Sequence, residues 1–250
     1  MITYGNLEGI SFSVLTNTFN KGFADYNVPM HMSEADLRAH LSANSFDPAI
    51  SCGAFADNCL VGFAFVGRRG NIIYDAGTAV VREYRGQHVA SEMMNHIFIM
   101  MKENGISEFV LECMADNDRA LKLYEGLGFT EKRRFTCHML EGMGTFSPEV
   151  TPSDDFSPSC QDFEPSWQNA PESLRGGEVA FSHGEGRMIL RKSGSVCFSS
   201  ADRVLIDHVL KLYGRLRFVN VFTGSPLDNL LKIMGSKVFA RQVEMHIIMP

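Results

Sequence analysis

Residues 117–129 read Asn117-Asp-Arg-Ala-Leu-Lys-Leu-Tyr124-Glu-Gly-Leu-Gly128-Phe129, and this stretch decides the fold. Its apolar spacing predicts one short helix, which Gly128 ends. Asn117 and Tyr124 lie about two helical turns apart, so both side chains are expected to leave the same face of that helix. An Asn and a Tyr held at this spacing indicate a functional site.

A second signal lies upstream, in the turn Arg85-Gly-Gln-His-Val-Ala90, which follows a strand-like run and opens an apolar-periodic helix. The first amides of a helix have no helical acceptor, so they bind anions together with the helix dipole. Gly86 would let a ligand approach the backbone, and Arg85 would add positive charge. The two signals together predict a site for a phosphate-bearing cofactor such as a pyrophosphate.

Around these signals the chain predicts a mixed α/β domain over residues 1–141, with the element order β-α-α-β-β-β-α-β-α-β. Asp57-Asn58 is typical of a hairpin turn, and Ser33 is a good helix N-cap. The first helix is predicted from Ser11 to Tyr26.

Residues 142–176 are predicted to form an acidic, Pro-rich linker or strap, because acidic residues and prolines concentrate there. The single tryptophan, Trp167, is expected to anchor it. Residues 177–250 then repeat the strand-helix-strand-helix-strand order of the first domain, with Gly235 aligned on Gly128. This segment is predicted to be a smaller half domain.

Composition limits the function classes. The net charge of -6 and the absence of a dense Lys/Arg stripe argue against nucleic acid as a partner. The six cysteines lack metal-ligand spacing, which predicts a reducing compartment and no metal site. Neither a leader-like N-terminus nor an apolar run of bilayer length is apparent, so we expect a cytoplasmic protein with no membrane association.

The segment from Gly77 to Leu140 resembles the GNAT superfamily of acyl-CoA-dependent N-acetyltransferases. The family's later helix, Asn-x-x-Ala-x-x-Leu-Tyr-x-x-x-Gly-Phe, is matched at every fixed position from Asn117 onward. Its phosphate loop, Arg/Gln-x-x-Gly-x-Gly/Ala, is matched at Arg85 and Ala90, with His88 where Gly is usual. The resemblance implies a GNAT fold for residues 1–141 and a degenerate GNAT-like half for residues 177–250.

The resemblance also implies roles for individual residues, with acetyl-CoA as co-substrate. Tyr124 would protonate the departing CoA thiolate as general acid, and Asn117 would touch the pantetheine arm. An N–H group of the strand before the loop would polarise the thioester carbonyl. The pantetheine arm would pair with the backbone of Ala79, Val80 and Val81. The pyrophosphate would be held by the loop residues Arg85, Gly86, Gln87, His88, Val89, Ala90 and Ser91.

Three alternatives remain open for the general base that would take the amine's proton. Asp75 lies in phase with the strand that would face the cofactor, although a solvated strand carboxylate is the plainer interpretation. Glu112, on the next strand, is a second candidate, and a chain of waters is a third.

The acceptor is predicted to be a primary amine on a small molecule or a peptide, attacking the thioester directly. A protein that binds CoA or acyl-CoA without turnover, for sensing or assembly, is the alternative, and His88 favours it. A longer acyl donor is also open.

In the C-terminal copy, Gly224 and Leu231 replace Asn117 and Tyr124, so this copy is not expected to bind CoA. It would extend the core, shape one wall of the acceptor pocket, or pair two chains as a homodimer.

Overall fold

A computed structural model describes residues 1–25, 30–157 and 165–249. By its contacts, the chain divides into two compact units. Unit 1 comprises residues 1–111, 122–130 and the end of the chain from 245, and unit 2 comprises residues 112–121 and 131–244. The predicted sequence domains 1–141, 142–176 and 177–250 stay a prediction.

Unit 1 is an α/β unit whose strands follow the order β1-β2-β3-β4-β5. The pairs from β1 to β4 are antiparallel, whereas β4 and β5 are parallel. Its elements are β1 (Ile2–Gly5), α1 (Phe12–Gly22), α2 (Glu34–Ala43), β2 (Cys52–Ala56), β3 (Cys59–Arg69), β4 (Ile72–Val80), α3 (Val89–Glu103), β5 (Glu108–Met114, in unit 1 to Leu111) and α4 (Asp118–Gly126, in unit 1 from Lys122).

Local sequence explains where these helices and turns begin. Ser11 caps α1 by accepting a hydrogen bond from the amide of Val14, and Ser33 forms a reciprocal capping box with Asp36 at α2. Asp57 and Asn58 both have positive φ, as a two-residue hairpin turn requires. The predicted α1 extends to Tyr26, which lies outside the described residues.

The core of unit 1 is aromatic. Phe63 and Phe65 stack with ring centroids 4.2 Å apart, and Phe19 lies 5.9 Å from Phe63. Phe109 on β5 meets Phe129 edge-on at 5.4 Å. The first set of contacts packs β3 against α1, and the second joins β5 to Phe129 after α4, which positions the end of α4.

Unit 2 is also an α/β unit, with strands in the order β12-β6-β11-β10-β9-β8-β7. In this unit β10 and β11 are parallel, and β11 is antiparallel to β6. Its elements are β6 (Thr130–Glu141, in unit 2 from Glu131), β7 (Thr151–Ser153), β8 (Val179–His183), β9 (Gly186–Leu190), β10 (Ser195–Ser199), α5 (Arg203–Tyr213), β11 (Arg215–Phe222), α6 (Pro226–Ile233) and β12 (Lys237–Ile248, in unit 2 to Glu244).

The element order of the first module recurs in the second. β10, α5, β11, α6 and β12 follow one another as β4, α3, β5, α4 and β6 do. Gly128 and Gly235 both have positive φ, and each lies two residues after the end of the second helix of its set. Leu231 of α6 is fully buried in the apolar core of unit 2. The predicted mixed α/β class and the predicted repetition of the element order are therefore confirmed.

Part of the predicted linker is anchored to unit 2. We call residues 165–174 the strap. The single tryptophan opens a 3-10 helix, Trp167–Asn169, and its carbonyl accepts a 2.6 Å hydrogen bond from the Ser173 hydroxyl. Asn169 donates to the carbonyl of Val219 on β11 at 2.8 Å. The strap is thus bonded to β11. Strand β7, earlier in the same linker, was not predicted.

Candidate active site

The N-terminus of α3 is the first component of the candidate site. His88 is its N-cap residue and has φ 60, the left-handed region, and Gly86 just before it has φ 77. No side chain of the described residues caps this helix end. The first amides of α3 have no helical acceptor of their own, so this end is suited to an anion. The left-handed backbone at residue 88 also explains why the family's pattern has Gly there.

Arg85 is paired within unit 1 in this structure. Its guanidinium makes a bidentate ion pair with Asp25 at 2.8 and 2.9 Å, and it donates to the carbonyls of Gly22 and Val80 at 2.8 Å. The hydrogen bond from Arg85 lowers the pKa of Asp25. The sequence analysis predicts that Arg85 adds charge at the phosphate, whereas here the guanidinium fixes the loop to α1 and β4.

Strand β4 presents backbone beyond its pairing with β5. The parallel ladder joins Ile72–Tyr74 to β5 and ends there, while β4 remains paired with β3 as far as Val80. The amide of Val81 donates to the carbonyl of Val61 on β3 at 2.9 Å. Parallel strands that separate in this way leave room for an extended ligand to add along one edge. The predicted role of Ala79, Val80 and Val81 toward pantetheine stays a prediction.

A β-bulge interrupts β4 at Ala76. Phe65 pairs with Gly77 and Val66 with Asp75, so Ala76 has no partner of its own in the register. Gly77 has φ 142, which favours glycine. The imidazole of His40 lies with Nε2 2.8 Å from the Ala76 carbonyl oxygen. The bulge is therefore stabilised by specific contacts, and it redirects the backbone in the middle of the strand.

Asp75 binds both the bulge and Tyr124. Its Oδ1 accepts from the amide of Gly77 at 2.8 Å, and its Oδ2 accepts from the Thr78 hydroxyl at 2.9 Å. The Tyr124 hydroxyl lies 3.0 Å from the same Oδ2. Burial raises the pKa of Asp75, and the three hydrogen bonds oppose that shift. Two predicted catalytic residues, separated in sequence, are thus brought into direct contact.

Tyr124 is held rigidly at the end of α4. The residue is 7 % exposed, and its ring packs edge-on against Phe129 at 5.6 Å. The amide of Phe129 donates to the Tyr124 carbonyl at 3.0 Å after Gly128, whose φ is 94. The Gly-Phe stop of the motif thereby closes the helix and supplies the surface against which the tyrosine ring rests.

Asn117 belongs to unit 2, where it caps α4. Its Oδ1 accepts from the amide of Ala120 at 3.2 Å, and its carbonyl accepts from the amide of Leu121 at 3.0 Å. The sequence analysis placed Asn117 inside the helix, on one face with Tyr124, whereas α4 begins at Asp118. Its predicted contact with pantetheine stays a prediction.

Glu112 also belongs to unit 2, and two side-chain amides bind its carboxylate. Oε2 accepts from Gln168 of the strap at 2.9 Å and from Asn220 of β11 at 2.5 Å. Asn220 is 3 % exposed. Sequence reasoning named Glu112 but missed both amides. Asn220 lies in the copy that has lost the family's motif, and no local pattern marks it.

Neither a metal cluster nor a membrane span is evident in the described part of the chain. Over residues 1–25, 30–157 and 165–249, no group of three or more His, Cys, Asp or Glu side chains could hold a metal ion. Within the same ranges, no helix has the length and apolar character that crossing a bilayer requires.

Comparisons with known proteins agree with this arrangement. Residues 16–129 match the model of the acetyltransferase (GNAT) family. N-alpha-acetyltransferase 30 of Schizosaccharomyces pombe is 40% identical over 73 residues, which are 29% of this chain and 49% of that protein. The chain thus spans about half the length of this curated relative.

Two solved structures share the fold along nearly the whole chain. A GCN5-related N-acetyltransferase from Sphaerobacter thermophilus superposes with a TM-score of 0.69 at 12% identity, covering 99% of this chain and 95% of that one. A tandem GNAT protein from the clavulanic acid biosynthesis pathway gives 0.66 at 11% identity, covering 99% and 98%. At such identities the likeness concerns the fold alone. Residues 16–129 therefore carry the match to the acetyltransferase (GNAT) family, and the chain as a whole has the fold of two GNAT-like modules.

Proposed function

We propose that this protein transfers an acetyl group from acetyl-CoA to a primary amine, by direct attack of the amine on the thioester in a ternary complex. One observation carries the proposal: the hydroxyl of Tyr124 is bound to Asp75 on β4, the strand along which a pantetheine arm would extend. A buried core tyrosine needs only one polar partner. The partner of Tyr124 is Asp75, which also binds the Gly77 amide at the β4 bulge and so links the tyrosine to the strand that would hold the thioester. In a domain of this family, a tyrosine in this position is suited to act as a general acid.

The α3 N-terminus and β4 fit the two ends of such a co-substrate. The first amides of α3, after Gly86 and His88, would hold the pyrophosphate by hydrogen bonds and by the helix dipole. The backbone of β4 between the bulge and Val80 would pair with the amide groups of pantetheine. An N–H group at the bulge would donate to the thioester oxygen as negative charge develops there.

Asp75 and Tyr124 would together deliver one proton to the departing thiolate. With Asp75 ionised, the Tyr124 hydroxyl donates to Oδ2 and points away from a leaving group. With Asp75 protonated on Oδ2, Asp75 donates to the phenol oxygen and the Tyr124 proton is available to the departing thiolate. When the C–N bond forms and the C–S bond breaks, Tyr124 gives its proton to sulfur and takes the Asp75 proton. The amine nitrogen loses one proton to the base in the same turnover, and Asp75 is reprotonated from solvent as the base releases that proton, which balances the reaction.

The amine's proton requires a different acceptor. The three donors on Asp75 commit it to the bulge and to Tyr124, which leaves Glu112 and a chain of waters as the two remaining candidates for the base.

Thiol release from acetyl-CoA tests this function, with a panel of peptides bearing free α-amino groups, polyamines and aminoglycosides. Peptides come first because the yeast relative is named an N-alpha-acetyltransferase. At least one amine class should give saturable thiol release and an acetylated product detected by mass spectrometry. Measurable CoA binding without turnover on any amine would instead support the non-catalytic CoA-binding protein, which the His88 side chain at the phosphate loop favours.

A further inference from the structure

We propose that Ser236 is an activated serine nucleophile, which accepts an acyl group from a small activated ester or thioester. Its hydroxyl oxygen lies 2.9 Å from Nδ1 of His138, and Nε2 of the same ring lies 2.7 Å from Oδ1 of Asp228. A serine, an imidazole and a carboxylate joined in this order form the arrangement by which many enzymes activate serine. All three residues lie in unit 2, and the inference is independent of acetyl transfer to an amine.

The carboxylate of Asp228 is buried, and both of its oxygens are hydrogen-bonded. Asp228 lies in the first turn of α6 and is 0 % exposed. Its Oδ2 accepts from the Lys232 ammonium at 2.6 Å and from the Gly224 amide at 2.7 Å, while Oδ1 faces His138. Burial by itself would raise the pKa of Asp228, but these hydrogen bonds, that of Lys232 foremost, lower it. The side chain is therefore ionised at neutral pH.

The ionised Asp228 fixes which ring nitrogen of His138 carries the proton. A carboxylate only accepts hydrogen bonds, so Nε2 carries the proton and donates to Oδ1. Burial lowers the pKa of His138 although Asp228 opposes the shift, so the ring is neutral at neutral pH. Nδ1 then has the lone pair, and the Ser236 hydroxyl donates to it. The ring is inverted relative to the serine-hydrolase arrangement, but either nitrogen of an imidazole can serve as the base.

The first module has an aromatic side chain at the place where the second has Ser236. Gly235 and Ser236 align with Gly128 and Phe129, and Phe129 packs edge-on against Phe109 at 5.4 Å. An apolar residue therefore suffices to close such a helix. Burying a carboxylate and an imidazole costs free energy unless other groups compensate, and ionisable groups buried in this way concentrate at functional sites.

The Ser236 hydroxyl lies beside an open part of the surface. Ser236 is half-buried, whereas Gly235 before it and Lys237 after it are exposed. Gly235 has φ 80, and a Cβ at this position would meet no atom within 4 Å beyond its chain neighbours. A small acyl donor thus has room next to the serine, while the imidazole behind it is 0 % exposed.

The adjoining backbone limits the chemistry to acylation of the serine. The Gly235 amide donates to the Lys232 carbonyl, and the Ser236 amide donates to the Leu231 carbonyl, each at 3.0 Å. Neither amide is therefore available to an oxyanion, although such donors supply a large part of the rate in serine hydrolases. General-base assistance alone typically contributes about 10²–10⁴-fold. We expect an ester on Ser236 that forms readily and is hydrolysed slowly.

One proton balances the acylation step. As the bond between Ser236 Oγ and the acyl carbon forms, the hydroxyl proton moves to Nδ1 of His138. The bond from the acyl carbon to the leaving oxygen or sulfur breaks, and its electron pair stays on the leaving atom. The proton on Nδ1 then passes to that atom, so the products are the acyl ester of Ser236 and a free alcohol or thiol. Asp228 stays ionised and stabilises the imidazolium while it exists.

The test exposes the full-length protein to 4-nitrophenyl acetate and follows acetylation of individual serines by peptide mass spectrometry. At about pH 7, Ser236 should be acetylated at least about a hundredfold faster than Ser33. Ser33 is the internal comparison, because its hydroxyl donates directly to the Asp36 carboxylate at 2.6 Å, with no imidazole between them. Equal rates at the two serines would overturn the inference.

A variant of the base shows whether the activation comes from the imidazole. His138→Gln should lower the acetylation rate of Ser236 by roughly a hundredfold, because an amide has no basic nitrogen. Thr223→Val is the matched control, since it removes another side-chain hydrogen bond of β6, that with Thr136 at 2.9 Å, and should leave the rate within about twofold. Thermal unfolding shows whether each variant is folded. A folded His138→Gln protein that reacts at the wild-type rate would contradict the proposal.

The pH profile of the wild-type protein requires no variant. The charges that act on His138 come from α6 and β12, namely Asp228, Lys232 and Arg241. Because the pKa of His138 is lowered, the acetylation rate of Ser236 should reach half of its plateau below about pH 6.5 and stay flat from about pH 7 to about pH 9. A serine without a base reacts faster at each higher pH, as hydroxide increases. A rate at Ser236 that climbs steadily from about pH 5 to about pH 9 would therefore leave the serine an ordinary one, and the inference would be wrong.

Discussion

The N-termini of α3 and α5 hold the same place in the element order of the two modules, yet only the N-terminus of α3 is left open to an anionic ligand. At α3, His88 is the N-cap in left-handed conformation, with no capping side chain among the described residues. At α5, the carboxylate of Asp202 accepts from the amide of Leu205 at 3.1 Å and from the His183 imidazole at 2.6 Å. One helix end is suited to a phosphate, and the other already holds an anion of its own.

The second helices of the two modules differ in the same way. Tyr124 of α4 has its hydroxyl on Asp75, whereas Leu231 of α6 is fully buried in an apolar core. Element order and the glycine stop are kept in both copies, while the polar groups are kept in one. Fold and candidate site are therefore separable in this protein: apolar burial maintains each module, and the polar contacts of the candidate site occur in only one of them among the described residues.

The largest expected effect is that of Tyr124→Phe. The ring and its contact with Phe129 stay, but the proton for the thiolate is lost, so kcat should fall by about a hundredfold or more. The Kd for acetyl-CoA should remain within about twofold, as the binding groups are untouched. Leu231→Met, a volume-conserving change at the matching position, should leave kcat unaltered. An undiminished rate for Tyr124→Phe would remove the chemical distinction between the two helices.

Asp75→Asn should lower kcat about tenfold, because the amide cannot resupply the Tyr124 proton. It also changes how stability depends on pH. Burial raises the pKa of Asp75, so the folded protein holds this proton more tightly than the unfolded chain. That contribution to the free energy of unfolding is present below the unfolded pKa and is lost as pH rises through the raised folded pKa.

The asparagine variant has no such loss. Its free energy of unfolding relative to the wild type should therefore increase from about pH 4 to about pH 8, measured by urea denaturation at each pH. A difference that stays flat, or that decreases with pH, would contradict a raised pKa for Asp75.

His88→Asp sharpens the comparison by giving α3 the carboxylate that α5 has. The Kd for acetyl-CoA should rise by roughly tenfold or more, because a negative N-cap competes with the pyrophosphate for the same amides. His88→Asn is the matched control, since Asn tolerates the left-handed region and carries no charge. Calorimetry should find the Asn variant close to wild type. Equal weakening by both substitutions would indicate that charge at this position is irrelevant to binding.

Local sequence was enough to predict the helices whose ends are set by caps and by apolar spacing. The spacing from Asn117 to Phe129 predicts α4 and its stop, and Ser33 predicts the start of α2, because caps and apolar periods act over a few residues. The bond between Asp75 and Tyr124 was not foreseen, since it depends on bringing β4 beside the end of α4 through the packing of the core. Strand β7 was missed because three residues that include Pro152 show no strand-like alternation.

The smallest effect tests the backbone at the α3 N-terminus. A non-glycine residue with φ 60 carries a steric cost, and glycine does not, so His88→Gly should raise the free energy of unfolding by up to about 1 kcal/mol. His96→Gly, inside the same helix, should lower it by about 1 kcal/mol, because glycine weakens a helix interior. Thermal or urea unfolding of the two variants should therefore shift in opposite directions. If both are destabilised alike, residue 88 is not held in the left-handed region in solution. The difference drawn between the left-handed, uncapped N-terminus of α3 and the Asp202-capped N-terminus of α5 would then be wrong.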